Sequence, residues 1–224
     1  RNKFIFVHID KNGGTSIRNS LKKYHDRKIF FLISNKIDKI LRIKILNKEL
    51  LVGRYVLNFL NRFLKIENSF FSYHHQLKLL NKRQRKKYFK FCVIRNPIDR
   101  FYSLYYHNLS HQHSSGFAFA KKGISNFLKE FIIKKKINSQ TDYITDKGEM
   151  LVDDFILFDT LEEDFQRITK KIFKKKINLN YLNKKRTNDK QKLSYKDLKK
   201  LKNYNKKDFK IYKLLINKKK CYIN

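Results

Sequence analysis

The chain has 224 residues with one proline and six glycines, which fits one α/β domain with a sizeable core and excludes a repeat array or a long linker. Lysine and arginine number 54 against 19 acidic residues, a formal charge of +35, so an acidic solvating chain is excluded and small anions are drawn to the surface. Two cysteines exclude a disulfide framework and favour a reducing compartment, with a single Cys92–Cys221 bridge left open.

Apolar spacing predicts several βα-like units. The first is a strand over residues 3–9, the loop "IDKNGGTSI", and a helix with Ile17, Leu21 and Tyr24 on one face. A helical stretch is expected over residues 37–66, then "SFFSYHH", a strand ending at His74 and His75. The second unit is a strand over residues 90–94, a turn at "RNP", and a helix with Ile98, Phe101, Leu104 and Tyr105 facing inward. Residues 110–120, "SHQHSSGFAFA", have loop composition and suggest a mobile loop on the acceptor side.

The third unit runs from "VDDFILF" into "TLEEDFQRITKKI", with Leu161, Phe165, Ile168 and Ile172 as its apolar stripe. Thr160 and Glu163 have capping-box spacing, and the charges follow the helix dipole. "SYKDLKKL" and "NKKDFKIYKLL" predict two capped C-terminal helices packed on the sheet. Strands alternating with helices imply a single three-layer domain, residues 1–224, around a mostly parallel sheet, with ligands at the C-terminal edge of its strands.

The loop between the first strand and helix reads as an anion cradle. Gly13 and Gly14 allow a tight turn and close approach to a ligand, and amides at the start of the following helix face it. Lys11 can reach an oxyanion, and Thr15 and Ser16 add hydroxyl donors. A nucleotide-kinase P-loop places its lysine after the glycines, whereas here it precedes them. In "FCVIRNPIDRFYSLYYH", Arg95 ends a strand, and helical spacing puts Asn96, Arg100, Ser103 and His107 along one polar face. A guanidinium fork beside the Ser103 hydroxyl suits a second phosphate. Arg100 and Asp99 read as decoration of a solvated helix face.

At these residues the sequence resembles the sulfotransferases. "HIDKNGGTS" is similar to their 5′-phosphosulfate-binding loop and "VIRNPIDRFYSLY" to their 3′-phosphate-binding strand and helix. The likeness is to the carbohydrate-type group that includes heparan 2-O-sulfotransferases, chondroitin sulfotransferases and bacterial relatives. "VDDFILFDTLEEDF" and "YLNKKR" also resemble that group, while residues near 30–68 and 108–140 do not match it. The resemblance implies a P-loop-like sulfotransferase fold and a donor, 3′-phosphoadenosine 5′-phosphosulfate, whose sulfuryl group passes to an acceptor hydroxyl on a glycan or glycolipid.

By motif position Lys11, Asn12, Gly13, Gly14, Thr15 and Ser16 would hold the 5′-phosphosulfate, and Arg95 and Ser103 the 3′-phosphate. Lys11 would stabilise the leaving group of an in-line displacement, and His75, or else His74, would act as base. No metal is required, and His8, His107, His111 and His113 show no ligand spacing with cysteines or carboxylates. Family members usually have proline where this chain has Asp10, threonine or a small residue at Asn12, and glutamate at Asp159. An acid beside an anionic donor weakens binding unless it caps the loop or pairs with a lysine.

Two other classes stay open at this stage. The charge suggests a nucleic-acid-binding protein, although the basic residues do not interleave with aromatics in an RNA- or DNA-binding signature; a P-loop nucleotide kinase needs a magnesium carboxylate as well as the displaced lysine. No apolar stretch approaches the roughly 18 residues of a membrane span. Cytoplasmic placement is the expectation, with a Golgi-lumenal or membrane-associated catalytic domain, its N-terminal anchor trimmed, as the alternative.

Overall fold

Residues Phe4–His8 form β1, an apolar run buried on both faces, the pattern of a central strand in a parallel sheet. The computed structural model describes residues 4–24, 70–73, 86, 88–180 and 191–220, of which 70–73 and 218–220 are described as backbone alone. The expected helix over 37–66, the histidines His74 and His75, "YLNKKR" and Cys221 lie outside the described residues.

After β1 the chain turns into α1, Gly14–Ser20, and a 3-10 turn, Lys22–Tyr24. β2 is Phe70–Tyr73, β3 is Phe89–Ile94, and α2 is Pro97–Ser110. Then come α3, Phe117–Lys121, and α4, Ile124–Asn126, which continues as a π-helix over Phe127–Lys134. α5, Gln140–Ile144, leads into a small hairpin of β4, Thr145–Asp146, and β5, Glu149–Met150. β6, Asp154–Leu157, feeds α6, Leu161–Phe173, and the described chain ends with α7, Tyr195–Tyr204, and α8, Lys206–Lys220.

The main sheet runs β2-β1-β3-β6 and every pairing in it is parallel. Successive side chains point to opposite faces, and the two faces are covered by different helices. Phe4, Phe6, Phe91, Val93 and Ile156 meet α1 and α6 through Ile17, Leu21, Leu161, Phe165, Ile168 and Ile172. Ile5, Val7, Cys92 and Ile94 meet α5 through Tyr143 and Ile144, and α8 through Ile211, Tyr212 and Leu215. This is the expected three-layer arrangement. Cys92 is a buried free thiol whose pKa burial pushes far up.

Four expectations need correction. Thr160 makes no capping bond to the α6 backbone; its hydroxyl donates to Asp164 Oδ2 at 2.9 Å, and the same oxygen accepts from Leu157 N–H at 3.0 Å. Asp164 thus ties the end of β6 to the first turn of α6. α7 packs on α2 and the π-helix through Leu201 rather than on the sheet, while α8 does reach the sheet.

Residues 110–120 are not loop throughout. Asn108 Oδ1 accepts from Gly116 N–H at 3.1 Å, the Ser114 hydroxyl donates to Asn108 O at 3.2 Å, and α3 follows with Ala120 buried. Lastly, Arg100 is buried, not solvated, for a reason that belongs to the site.

Candidate active site

β1 and β3 lie side by side and parallel, so their C-terminal ends open at one edge of the sheet. The loop of residues 9–13 leaves β1 there. It is turned by two left-handed residues, Lys11 at φ 67° and Gly13 at φ 76°. Glycine accepts that conformation without penalty, whereas lysine is strained in it and must be held by its surroundings.

The neighbouring Gly14 is required for a different reason. A Cβ added there would run into the His8 ring, so the backbone at the start of α1 approaches β1 more closely than any side chain permits. Thr15 is exposed at this point and Ser16 is buried. The two glycines of the motif are therefore required for two different reasons.

What holds Lys11 is Arg95. Its Nη1 donates to the Lys11 carbonyl at 2.8 Å, and its guanidinium carbon lies 4.1 Å from the centroid of the Phe158 ring. The Arg95 Nε is buried and finds no hydrogen-bond partner among the described residues. Burial lowers the Arg95 pKa, with Asp99 and Asp159 opposing, but a guanidinium remains charged at any ordinary pH.

Burial also pulls the Lys11 ammonium below its usual value; Asp10 opposes this shift and Arg95 adds to it. Two cations are thus held at one strand edge, with Asp10 partly offsetting Lys11, and Asp99 and Asp159 partly offsetting Arg95. An arriving anion would meet two partly desolvated cations there.

A second arginine braces the same loop. Arg100 Nε donates to Asp10 O at 3.1 Å, and its two terminal nitrogens both donate to Asn138 O at 3.3 Å. α2 begins with Pro97 behind the Asn96 cap, whose Oδ1 accepts from Ile98 N–H at 2.9 Å, and helical spacing then carries Ser103 and His107 along the Arg100 face. Ser103 and His107 are half-buried. Burial lowers the His107 pKa, with the positive charges of Lys11 and His111 acting the same way and Asp10 opposing. His107 therefore stands within electrostatic reach of the loop, on the polar face where helical spacing put it.

Gln140 was also missed. It is 1 % exposed, and its side chain joins both motifs. Oε1 accepts from Asn12 Nδ2 at 2.6 Å and from Arg95 N–H at 2.9 Å, while Nε2 donates to Arg95 O at 2.8 Å. Asn12 Nδ2 donates in addition to Val93 O at 2.6 Å. Asn12, expected among the donor-binding residues, is 1 % exposed; its Nδ2 fastens the loop to β3, and its Oδ1 is buried without a hydrogen-bond partner among the described residues. No signal in the local sequence marks Gln140, because its partners lie 45 and 128 residues away.

The structure therefore brings Lys11, Asn12, Gly13, Gly14, Thr15, Ser16 and Arg95 to one strand edge, with Ser103 on the adjoining helix. A parallel α/β sheet with a glycine loop and two cations at that edge has the architecture of the proteins that bind nucleotides or oxyanions there. A model of the sulfotransferase family matches residues 1–158, and the chain belongs to that family. It is an enzyme of the sulfotransferase type. Neither a curated protein nor a solved structure matches it. Among the described residues, no helix is long and apolar enough to cross a membrane.

Proposed function

We propose that this sulfotransferase moves a sulfuryl group from 3′-phosphoadenosine 5′-phosphosulfate to a hydroxyl on a glycan or glycolipid. The observation that carries the reading is the clamp between Arg95 and the Lys11 carbonyl, which fixes the two motifs against each other at the strand edge. A donor with phosphate groups at both its 3′ and 5′ positions needs two anion sites at a set spacing.

In this reading the loop from Lys11 to Ser16 takes the 5′-phosphosulfate, with Gly14 giving the close approach. Arg95 and Ser103 take the 3′-phosphate. During in-line transfer, negative charge grows on the oxygen that bridges sulfur to the leaving phosphate. The Lys11 ammonium, already partly desolvated, stabilises that charge more than it stabilises the bound donor. The acceptor oxygen forms the new bond to sulfur as the bridging bond breaks, and a base takes its proton. We assign that base to His75, with His74 as the second candidate.

Calorimetric titration tests the donor. 3′-Phosphoadenosine 5′-phosphate should bind tightly and ADP weakly. Ser103→Ala should weaken the first by about tenfold or more, the scale of a lost hydrogen bond to a charged group, and leave the second unchanged. Equal binding of the two nucleotides would remove the case for a 3′-phosphate site.

A further inference from the structure

The family match ends at residue 158, yet the strand-edge clamp is anchored beyond it, in α8. Asp208, in the first turn of that helix, is 1 % exposed. Its Oδ2 accepts from Gln140 N–H at 2.7 Å and its Oδ1 from Thr141 N–H at 2.8 Å, and the Thr141 hydroxyl also donates to Oδ1. One carboxyl group thus takes three donors at the start of α5. The same helix end carries its own capping box, in which Ser139 and Asp142 satisfy each other.

The capping box and Asp208 together satisfy the four amides that a helix N-terminus leaves open, and Asp208 supplies the share that fixes the first residue of α5. That residue is Gln140. Its amide is committed to Asn12 on one side and to both backbone groups of Arg95 on the other. Arg95 in turn holds the Lys11 carbonyl. The line from Asp208 to Lys11 is therefore continuous, made of buried or half-buried hydrogen bonds with no solvated gap.

A second contact comes from the next turn of α8. The Tyr212 hydroxyl donates to Asp159 Oδ2 at 2.8 Å, and burial together with Asp159 pushes the Tyr212 pKa up to about 12. Asp159 neighbours Phe158, the ring under the Arg95 guanidinium. α8 accordingly reaches Arg95 by two routes, one through Gln140 and one beside Phe158.

We infer that Asp208 and Gln140 are positioning residues of the transferase site, and that α8 sets the distance between the Lys11 pole and the Arg95 pole. The inference rests on the donor reading above. It extends that reading by making residues outside the matched segment part of donor recognition. The physical need is plain: group transfer tolerates misplacement of well under 1 Å, and the loop's own contacts include a lysine in a strained conformation that relaxes if released.

The test is a double-mutant cycle read by calorimetry with 3′-phosphoadenosine 5′-phosphate as the probe. The proteins are wild type, Lys11→Ala, Gln140→Met and the double variant, with thermal midpoints measured in parallel. Lys11→Ala should weaken binding by about tenfold or more in the wild-type background and by less than about threefold in Gln140→Met, because the lysine is already displaced there. Asp208→Asn, which keeps the shape of the side chain but turns its amide against the Gln140 and Thr141 donors, should reproduce the reduced Lys11 effect. It also supplies the cycle if Gln140→Met does not fold.

A purely structural role would lower the thermal midpoint and leave the Lys11 factor the same in both backgrounds. Additive effects in a wild type that binds the nucleotide would overturn this inference alone. A wild type that binds no nucleotide would overturn the donor reading and this inference with it.

Discussion

At the scale of single residues, the loop shows how one short motif divides its labour. Gly13 is fixed by its left-handed backbone and Gly14 by the His8 ring, so the two glycines fail differently when replaced. Gly14→Ala should destabilise the fold by about 1–3 kcal/mol, the range for an overpacked site. Adding His8→Ala removes the obstacle and should recover part of that loss in a denaturant melt; no recovery would mean that the ring is not what excludes a side chain. Asp10 is one of the three departures from the family pattern, with Asn12 and Asp159. Its carboxylate lies close enough to counter the lowering of the Lys11 and His107 pKa values, so it partly neutralises the site. Asp10→Asn should therefore tighten nucleotide binding, and weaker binding would show that the carboxylate has a structural duty in the loop. His107 supplies a pH signature. Its folded pKa is depressed, so the folded chain binds fewer protons than the unfolded one below the ordinary histidine value of about 6.5. The stability it leaves intact is fully present above that value and is lost as pH falls through it toward the folded pKa. A bound anion acts in the opposite sense. In a ring-proton titration by magnetic resonance, the His107 pKa should rise when 3′-phosphoadenosine 5′-phosphate is added.

At the scale of elements, strands and helices were legible where apolar spacing was strong, and their ends were legible only in part. The stripe Leu161, Phe165, Ile168 and Ile172 is buried as its spacing required. The cap of the same helix was misread because Glu163 and Asp164 offer rival carboxylates one residue apart, and local spacing cannot tell which of them the end of β6 will meet. Asp164 won by also accepting the Leu157 N–H. Asp164→Ala should therefore cost about 1–3 kcal/mol, since it leaves a buried donor unpaired. An unchanged midpoint in a thermal melt would show that Asp164 does not hold the end of β6. α2 was placed correctly from "RNP" onward, yet Arg100 was taken for surface. On a helical wheel it belongs to the polar face, and only the approach of the Asp10 and Asn138 carbonyls turns that face inward.

At the scale of the whole molecule, a formal charge of +35 on 224 residues sets a background field that repels itself and attracts anions. Raising ionic strength from about 10 mM to about 150 mM shortens the screening length from roughly 30 Å to roughly 8 Å. The thermal midpoint should rise over that interval. Nucleotide affinity should fall over the same interval, because the long-range share of the attraction is screened while the contacts of Lys11 and Arg95 persist. A midpoint unchanged by salt would mean that the lysines lie too far apart for their mutual repulsion to matter.

The sequence by itself determined the parallel α/β arrangement, the glycine loop after β1 and the arginine after β3, because each is a local consequence of period, turn chemistry or residue type. Gly13 and Lys11 could be found in a nine-residue window. Gln140 and Asp208 could not, since neither has a pattern of its own and each acquires meaning from groups that folding brings to it from 45 to 128 residues away. Only the tertiary structure decided that Asn12 fastens the loop, that Arg95 holds a carbonyl as well as facing the site, and that the C-terminal helix reaches the strand edge. The physical reason is that a buried polar group must find its partner wherever the packed chain supplies one, and that choice is made by three-dimensional proximity.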